Sequence, residues 1–329
     1  MADKLTKDSK IVEVCSMIMN KPNEVTNEDY QKASEVIKEL ASVPNPNNLW
    51  ELGQLVGFLV DEKLEKRLNQ YIDLIADVKR VPLGDKAMFK TQKGRVSALW
   101  QAKGSTAQRS MVGTEYVTLE TDEISAAPSI EIEALQNSQI NFTSVVNEAA
   151  EAMETQFALR IQTVIYALWS TLPSPWYASA NGVTSAIDPI ITGVSRIGAP
   201  LIFADIAAAQ KFINLAGFNN IVADRIAEDF HKTGVIGNYR GARILQLANP
   251  LENETDMTST ILDKGYIYVV PSSQSKDKRA LKTVIEGEMQ TFETRYAQSR
   301  ILEIAMYKKI GVGIVSTRRS MGLFEDTSL

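Results

Sequence analysis

The sequence predicts an α+β protein, with helices dominating the amino-terminal half and strands the carboxyl-terminal end. Three observations indicate this class. Apolar residues recur at helical spacing before residue 80 and again from Phe142 to Leu168, a polar glycine-containing stretch separates these two segments, and residues 289–319 alternate apolar and polar side chains. The chain has 329 residues, 44% of them hydrophobic, which is enough for one large domain or two modest ones.

Residues 1–80 are predicted to be helical. Thr26 and Asp29 have the spacing of a capping pair ahead of a helix from Tyr30 to Leu40, and Ser42 to Asn48, with two prolines, stops that helix. A longer helix follows, and its apolar residues recur three to five apart: Leu52, Val56, Leu59, Leu64, Leu68, Ile72, Ile75 and Val78. This apolar stripe packs either on the body of the same chain or on another subunit, and its periodicity does not decide between them.

The stretch from Gly84 to Gly113 is predicted to be a long hairpin or extended loop, with strands at Ala87–Thr91 and Tyr116–Thr121. Its charges are lopsided, because six basic residues stand against Asp85 alone: Lys86, Lys90, Lys93, Arg95, Lys103 and Arg109. An acidic run follows, with no Lys or Arg before Leu135: Glu115, Glu120, Asp122, Glu123, Glu131 and Glu133. Either the basic arm pairs with the acidic run of another copy, or the two halves balance locally in a solvated hairpin.

The middle of the chain combines a strand with the strongest helix signal. Ile130, Ile132 and Ala134 alternate with glutamates, which predicts a half-buried strand. The helix from Phe142 to Leu168 then runs for about seven turns and ends before Pro173.

Beyond Pro175 the pattern predicts a mixed α/β unit followed by closing strands. Strands are predicted at 201–203, 242–247 and 266–270, helices at 206–215 and 221–230, and strands again within 289–319. Tyr239-Arg240-Gly241 is predicted to form a tight turn, in which Gly241 supplies a conformation that a side chain would resist. Arg240 and His231 are isolated polar residues, and we expect no partners to converge on them.

The composition excludes several classes of function. The 40 acidic and 35 basic residues give a net charge of −5, which offers no general attraction to nucleic acid. His231 is the only histidine, so His-based triads and multi-histidine metal sites are excluded, and no phosphate-binding glycine loop is present. Cys15 is the only cysteine, and we predict that it is a buried small apolar residue.

Two carboxylate pairs are the remaining candidates for catalysis. Glu131 with Glu133 and Glu228 with Asp229 are more typical of solvated faces than of an active site, so we predict no catalytic, cofactor or metal residues. The amino terminus lacks the apolar core of a signal peptide, and no run reaches membrane-spanning length. We therefore expect a soluble protein that is made in a cytoplasm.

The order of these elements resembles the major capsid protein family of tailed bacteriophages. The likeness is sharpest from Phe230 to Leu245, FHKTGVIGNYRGARIL, followed by Asn249-Pro250, where a glycine-marked turn leads through Tyr-Arg-Gly into a strand. The resemblance implies five segments: a helical N-arm at 1–80, an E-loop hairpin and first P-domain strand at 81–135, a spine helix at 136–175, an A-domain at 176–288, and closing strands with the carboxyl terminus at 289–329.

What the resemblance implies about function is a non-enzymatic shell subunit. Copies would form pentamers and hexamers that close an icosahedral head around double-stranded DNA, with portal and scaffolding proteins as further partners, non-specific contact with DNA and no membrane. The virion would be its location, after assembly in the host cytoplasm. The candidate contacts between subunits are Lys86, Lys90, Lys93, Arg95, Lys103, Arg109, Glu120, Asp122, Glu123 and Arg240. The apolar stripe is then expected on the shell's inner face or on an adjacent copy. The alternatives are a bacterial nanocompartment shell and a carboxylate-based hydrolase.

Overall fold

The structure is a computed structural model in which three helices open the chain. It describes residues 10–20, 27–42, 46–93, 100, 103, 109–110, 113–136, 142–212, 237–247, 249–253, 255–272, 276–296, 301–314 and 320–329. Helix α1 spans Lys10–Asn20, α2 spans Asn27–Ser42 and α3 spans Pro46–Ile75. The helix predicted from Tyr30 is confirmed, whereas Thr26 lies outside the described residues. The predicted break is shorter than expected, since α3 begins at Pro46, and a proline is tolerated in the first turn of a helix.

The prediction that residues 76–80 are helical is wrong. Strand β1 spans Ala76–Val81 and pairs in parallel with residues 281–286, so Val78 lies on a strand and not on the apolar stripe of α3. Val78 follows Ile72 and Ile75 at helical spacing, but the edge of the long strand beside it offers the backbone a partner that the sequence pattern does not show.

The apolar stripe of α3 packs inside its own chain. Leu52, Leu59, Leu64, Leu68 and Ile72 are all buried in the main hydrophobic core. Of the two alternatives, packing on the body of the same chain is therefore correct, and the expectation that the stripe docks on a shell's inner face or on another copy is wrong. The reason is that α3 lies against a sheet and a second long helix, which together bury the stripe.

The first sheet brings together strands that are far apart in the sequence. Its strand order is β1-β13-β14-β4, where β4 spans Asp122–Ala126, β13 spans Leu281–Tyr296 and β14 spans Ile301–Ile314. The predicted closing strands are confirmed, although they begin at Leu281 and not at 289. Residues 297–300 and 315–319 lie outside the described part of the chain. The side chains of β14 alternate between buried and half-buried, so one face of this sheet covers the core.

The predicted strand through Ile130, Ile132 and Ala134 is correct only at its start. Strand β5 is short, Ser129–Glu131, and pairs with β14, while residues Ile132–Gln136 form the helix α4. Ile132 and Ala134 are buried as predicted. An apolar pattern this short fits a strand or a helical turn, and tertiary packing decides between them.

The long helix is confirmed as α5, Phe142–Trp169, 28 residues ending before Pro173. It packs against α3 and the first sheet, and Met153, Phe157 and Ile165 are buried between them. The indole of Trp169 donates a 2.9 Å hydrogen bond to the carbonyl of Met321, which ties the end of α5 to the chain's last strand.

A second, six-stranded sheet forms the mixed α/β unit. Its order is β6-β15-β12-β7-β9-β8, and pairs β6/β15 and β7/β9 are parallel. The strands span Tyr177–Ala180 (β6), Pro200–Ala204 (β7), Asn238–Tyr239 (β8), Ala242–Gln246 (β9), Tyr266–Pro271 (β12) and Gly322–Asp326 (β15). Helices α6, Asp188–Ser195, and α7, Ile206–Lys211, cover one face in a second apolar core.

The predicted strands at 201–203, 242–247 and 266–270 are confirmed. The helix predicted at 206–215 is confirmed as far as Lys211, and the one predicted at 221–230 lies outside the described residues. Strands β10, Leu251–Asn253, and β11, Asp256–Thr260, make a small separate hairpin. The division of the chain into five segments stays a prediction.

Candidate assembly surfaces

The predicted hairpin is present and has two different faces. Strands β2, Met88–Lys93, and β3, Gly113–Thr118, pair antiparallel in register from Met88 with Thr118 to Lys93 with Gly113. Alternate side chains point to opposite faces of a strand, so Phe89 and Thr91 are buried, whereas Met88 and Tyr116 are 58% and 63% exposed. The hairpin therefore has an inner face that packs on its own chain and an outer face that is exposed.

The inner face is anchored through Phe89. Its ring is fully buried, and two ammonium groups approach it, Lys79 Nζ at 5.0 Å and Lys282 Nζ at 5.5 Å from the ring centroid. Lys79 also donates to the carbonyl of Met88 at 2.7 Å, and Lys282 donates to Asp77 at 2.8 Å. Cation–π contacts of this kind gain strength when they are shielded from water. They hold the base of the hairpin on β1 and β13.

A second set of contacts holds the two segments that flank the hairpin, before β2 and after β3. The carboxylate of Glu286 accepts hydrogen bonds from the hydroxyl of Thr121 at 2.6 Å and from the backbone N–H of Gly84 at 2.8 Å. These bonds favour the charged carboxylate, the Thr121 bond most, and hold the pKa of Glu286 below its usual range. Neither anchor was foreseen. Residues 281–286 of β13 are all buried, so both faces of the strand are covered and no alternation in the sequence singles out Lys282 and Glu286.

The basic residues predicted to contact a neighbour lie mostly on exposed positions. Lys86, Lys90, Lys103 and Arg109 are exposed, and none forms an ion pair within the described part of the chain. The backbone of Lys93 pairs with Gly113 at the end of the hairpin, and Arg95 lies outside the described residues. Local balancing of the hairpin by its own acidic residues is thus not seen for these four cations.

The acidic candidates for contact between subunits are Glu120, Asp122 and Glu123. Asp122 pairs with Arg160 of α5 at 2.8 Å and Glu123 pairs with Lys309 of β14 at 3.8 Å, so two of the three already have a partner in their own chain. The sequence showed no nearby Lys or Arg, but both partners are distant in sequence and are brought close by folding. Glu120 is exposed and forms no ion pair among the described residues.

The predicted turn at Gly241 is confirmed. Arg240 and Gly241 have φ values of 47° and 80°, and the turn joins β8 to β9. Positive φ at both central positions is typical of a tight hairpin turn, and it is glycine that adopts it without strain.

The expectation that Arg240 lacks partners is wrong. Its guanidinium lies 2.9 Å from the Asp188 carboxylate, whose other oxygen accepts from the Tyr239 hydroxyl at 2.9 Å. Asp188 begins α6, and the fold brings it to the turn from 52 positions upstream. Arg240 therefore supports the turn from within its own chain, while its side chain stays 59% exposed. His231 lies outside the described residues.

The described residues offer little for catalysis. They contain no cluster of His, Cys, Asp or Glu able to hold a metal ion. Glu131 and Glu133 are both exposed, on β5 and α4, and the other carboxylate pair lies outside the described part of the chain. Cys15 is buried as predicted, and its burial raises the pKa of the thiol to about 11. Among the helices in the described ranges, none has the length and apolar character needed to cross a membrane.

Comparisons with known proteins identify the family. A family model described as "SPbeta prophage-derived putative capsid protein YonB" matches residues 3–325. No curated protein matches. Similar solved structures include the mature capsid of bacteriophage PhiM1, at 12% identity and TM-score 0.51 over 79% of this chain and 87% of that one. The capsid of cyanophage P-SCSP1u matches at 12% identity and TM-score 0.52 over 77% and 87%.

A virus-like particle from Pyrococcus furiosus is also similar, at 12% identity and TM-score 0.46 over 81% and 97%. The likeness to the two phage capsids extends over 79% and 77% of this chain and shows a shared fold. Because the family model matches residues 3–325 of the 329 in this chain, the chain belongs to the YonB family of prophage-derived capsid proteins.

Proposed function

We propose that this capsid protein is the major shell subunit, and that its copies form pentamers and hexamers that close an icosahedral head around double-stranded DNA. The observation that carries the proposal is the hairpin of β2 and β3. Its inner face is fixed to the chain by Phe89 and Glu286, while its outer face presents the exposed side chains of Met88, Lys90 and Tyr116. An exposed surface of this composition on a firmly held element is suited to contact with another protein.

The hairpin is proposed to lie on a neighbouring copy. Lys86, Lys90, Lys103 and Arg109 supply the positive charge, and Met88 and Tyr116 supply apolar area. Exposed ion pairs contribute only about 0.2 to 1 kcal/mol each, but a symmetric shell repeats every pair many times. The exposed residues Glu120, Asp122, Glu123 and Arg240 are proposed as further contacts of the shell.

The test is electron microscopy of particles formed by the purified full chain, before and after reversal of charge on the hairpin. Lys90, Lys93 and Arg95 are replaced together by Glu, and the expected result is loss of closed shells with an unchanged thermal unfolding midpoint of the unassembled chain. Replacement of Lys38, an exposed residue of α2, by Glu is the control and should leave shells intact. Normal shells from the triple variant would refute the role of the hairpin.

The contents of particles isolated from the cells that produce them, and not of particles formed by the purified chain, distinguish the two kinds of shell. A phage head is expected to contain nuclease-protected DNA, whereas a bacterial nanocompartment would contain a protein cargo and no genome. The net charge of −5 offers no general attraction to DNA, so the proposed contact with the enclosed DNA is non-specific and weak. Portal and scaffolding proteins are proposed partners, assembly is proposed to occur in the host cytoplasm, and the finished subunit resides in the virion.

A role without catalysis is part of the proposal. The carboxylates that the fold does bury are engaged in structural pairs, as with Asp61 and Lys308 at 2.6 Å and Asp326 and Lys211 at 2.9 Å. A hydrolase acting through two carboxylates needs both of them to face a shared cleft. Glu131 and Glu133 are exposed on different elements, which supports the shell subunit over the hydrolase.

A further inference from the structure

A cavity of about 570 Å³ lies where α3 and α5 meet the second sheet. Ile72 of α3, Phe157 and Ile161 of α5, Phe203 of β7 and Tyr268 of β12 are part of its wall, and apolar side chains make up most of the described lining. Pockets for small molecules commonly measure about 300 to 1,000 Å³ and form where two substructures meet. The size and the position of this cavity are therefore those of a ligand site.

Most polar groups of the wall are already paired with one another. Asp205 accepts from the N–H of Ala207 at 2.7 Å and from the amide of Asn249 at 2.9 Å. The amide of Gln162 donates to the carbonyl of Asp263 at 3.2 Å and accepts from its N–H at 3.1 Å. At the solvent side Arg67 binds Glu154 at 2.8 Å. These groups shape the wall and leave little hydrogen-bonding capacity for a ligand.

The hydroxyl of Tyr268 is the exception. Tyr268 is 8% exposed in the middle of the sheet, and its hydroxyl has no hydrogen-bond partner in the described part of the structure. The Gln162 amide uses its carbonyl and one N–H on Asp263, and its second N–H can only donate to the Tyr268 oxygen, so the proton of the Tyr268 hydroxyl is left without an acceptor. A buried hydroxyl without a partner is costly. An ordered water needs about two to four polar partners, and one free hydroxyl does not supply them.

We propose that this cavity binds an uncharged, mainly apolar small molecule that carries one oxygen able to hydrogen-bond to the Tyr268 hydroxyl. A ligand with a charge of either sign is disfavoured. The carboxylates of Glu151, Glu154, Asp205 and Asp263 outnumber Arg67 along the wall and repel an anion. A cation would have to give up its hydration for carboxylates that already have partners, as Asp205 and Glu154 do. The site does not depend on the role of the hairpin in shell formation.

The test uses the purified, unassembled full chain and three probes with the same hydrocarbon tail: decan-1-ol, decanoate and decylammonium. Binding is followed by isothermal calorimetry and by the unfolding midpoint from tryptophan fluorescence. Decan-1-ol should bind saturably and raise the midpoint, with a dissociation constant at least about tenfold lower than that of either charged probe, as expected for burial of an ion without a partner.

Two variants locate the site. Tyr268→Phe removes the hydroxyl and keeps the ring, and it should weaken decan-1-ol binding about fivefold, the loss of one net hydrogen bond. Tyr307→Phe, on a tyrosine outside this wall, is the matched control and should leave the affinity unchanged. Ala158→Trp should fill the cavity and abolish binding, and Ile161→Phe serves the same purpose if the tryptophan variant does not fold.

Several results would overturn the proposal. Absence of saturable decan-1-ol binding, preference for a charged probe, or wild-type affinity in both Tyr268→Phe and the cavity-filling variant would each do so. Self-association of the chain that decan-1-ol reverses would assign the cavity to a segment of a second copy, and would likewise refute a small-molecule site.

Discussion

Two glycines of α3 show how a single residue sets the distance between a helix and a sheet. A Cβ on Gly57 would lie 2.2 Å from Cγ2 of Thr291 on β13, whereas a Cβ on Gly53 would meet nothing closer than 3.6 Å. Thr291 does not turn away freely, because its hydroxyl accepts a 2.6 Å hydrogen bond from Gln54. In an isolated helix both glycines would lower helicity alike. The structure shows that Gly57 permits a close approach and that Gly53 has room for a methyl group.

The two glycines give a matched pair of variants. Gly57→Ala should destabilise the chain by about 1 to 3 kcal/mol because the added methyl group overpacks the α3–β13 contact. Gly53→Ala should stabilise it by up to about 1 kcal/mol, the helix-propensity gain of alanine over glycine. Urea unfolding of the unassembled chain measures both values. Equal effects of the two substitutions would contradict the close-contact explanation.

The buried pair of Asp61 and Lys308 links α3 to β14. Both side chains are 2% exposed, their charged atoms are 2.6 Å apart, and Glu65 lies 3.7 Å from the same ammonium. Removing one charge from such a pair leaves the other without compensation in a medium that solvates it poorly. The pair therefore makes the register of α3 on the sheet specific, even where its net contribution to stability is small.

Lys308→Met should cost about 3 to 5 kcal/mol, because the Asp61 carboxylate stays buried without its cation. The double variant Asp61→Leu, Lys308→Met should recover most of that loss, since both charges are gone and apolar groups of similar length replace them. Chemical denaturation of the wild type, of Asp61→Leu and Lys308→Met alone, and of the double variant gives the coupling energy. A double variant as unstable as the sum of the single variants would show that the pair is not coupled.

The hairpin was predicted from the sequence as an extended segment, but its contacts with the rest of the chain were not predicted. The glycines and the lopsided charge predicted an extended arm, and β2 with β3 confirm it. The anchors at Phe89 and Glu286 were not predicted, because their partners Lys79, Lys282 and Thr121 become neighbours through strand pairing. Local pattern shows that a segment is extended, whereas its attachment depends on which distant strand lies beside it.

Pairing with a distant strand also determines the structure at β1 and next to α4, where the predictions were wrong. Helical spacing continues from α3 through Val78, and strand-like alternation continues from Ile130 through Ala134. In each case the change of element is decided by pairing with the closing strands, with β13 for β1 and with β14 for β5. The long helix α5 was predicted almost to the residue because 28 residues of sustained periodicity outweigh any single contact.

Glu286 makes the attachment of the hairpin dependent on pH. Its pKa is lowered in the folded chain, so the stabilisation is complete above the pKa of an unfolded Glu, near ~4.3, and is lost as the pH falls through the lower folded value. Amide hydrogen exchange at Gly84 and in β2 should therefore stay slow, after correction for intrinsic rates, from neutral pH to about 5 and increase below about 4. Glu286→Gln should remove this pH dependence, and persistence of it in that variant would assign the effect to another group.

For assembly of the chain, the distribution of charge over the surface is more important than the net charge. The chain carries a net charge of −5, yet the hairpin presents four exposed cations without ion pairs in the described structure. Copies with this net charge repel one another at long range, so an attraction through the hairpin would act only at short range. Contacts between exposed charges are screened within about 10 Å at 0.1 M salt and about 3 Å at 1 M. Assembly through the hairpin should therefore become weaker as the salt concentration rises.

We therefore predict that two charge variants with the same net charge differ in assembly at low salt and converge at high salt. Lys86→Gln with Lys90→Gln removes two hairpin cations, and Lys38→Gln with Arg196→Gln removes two exposed cations elsewhere. Light scattering should show slower assembly of the hairpin variant at about 0.05 M salt, with the difference fading towards about 1 M as the Debye length shrinks. A difference that persists at high salt would mean that the hairpin acts through its apolar side chains, and equal rates at low salt would mean that its charges do not guide assembly.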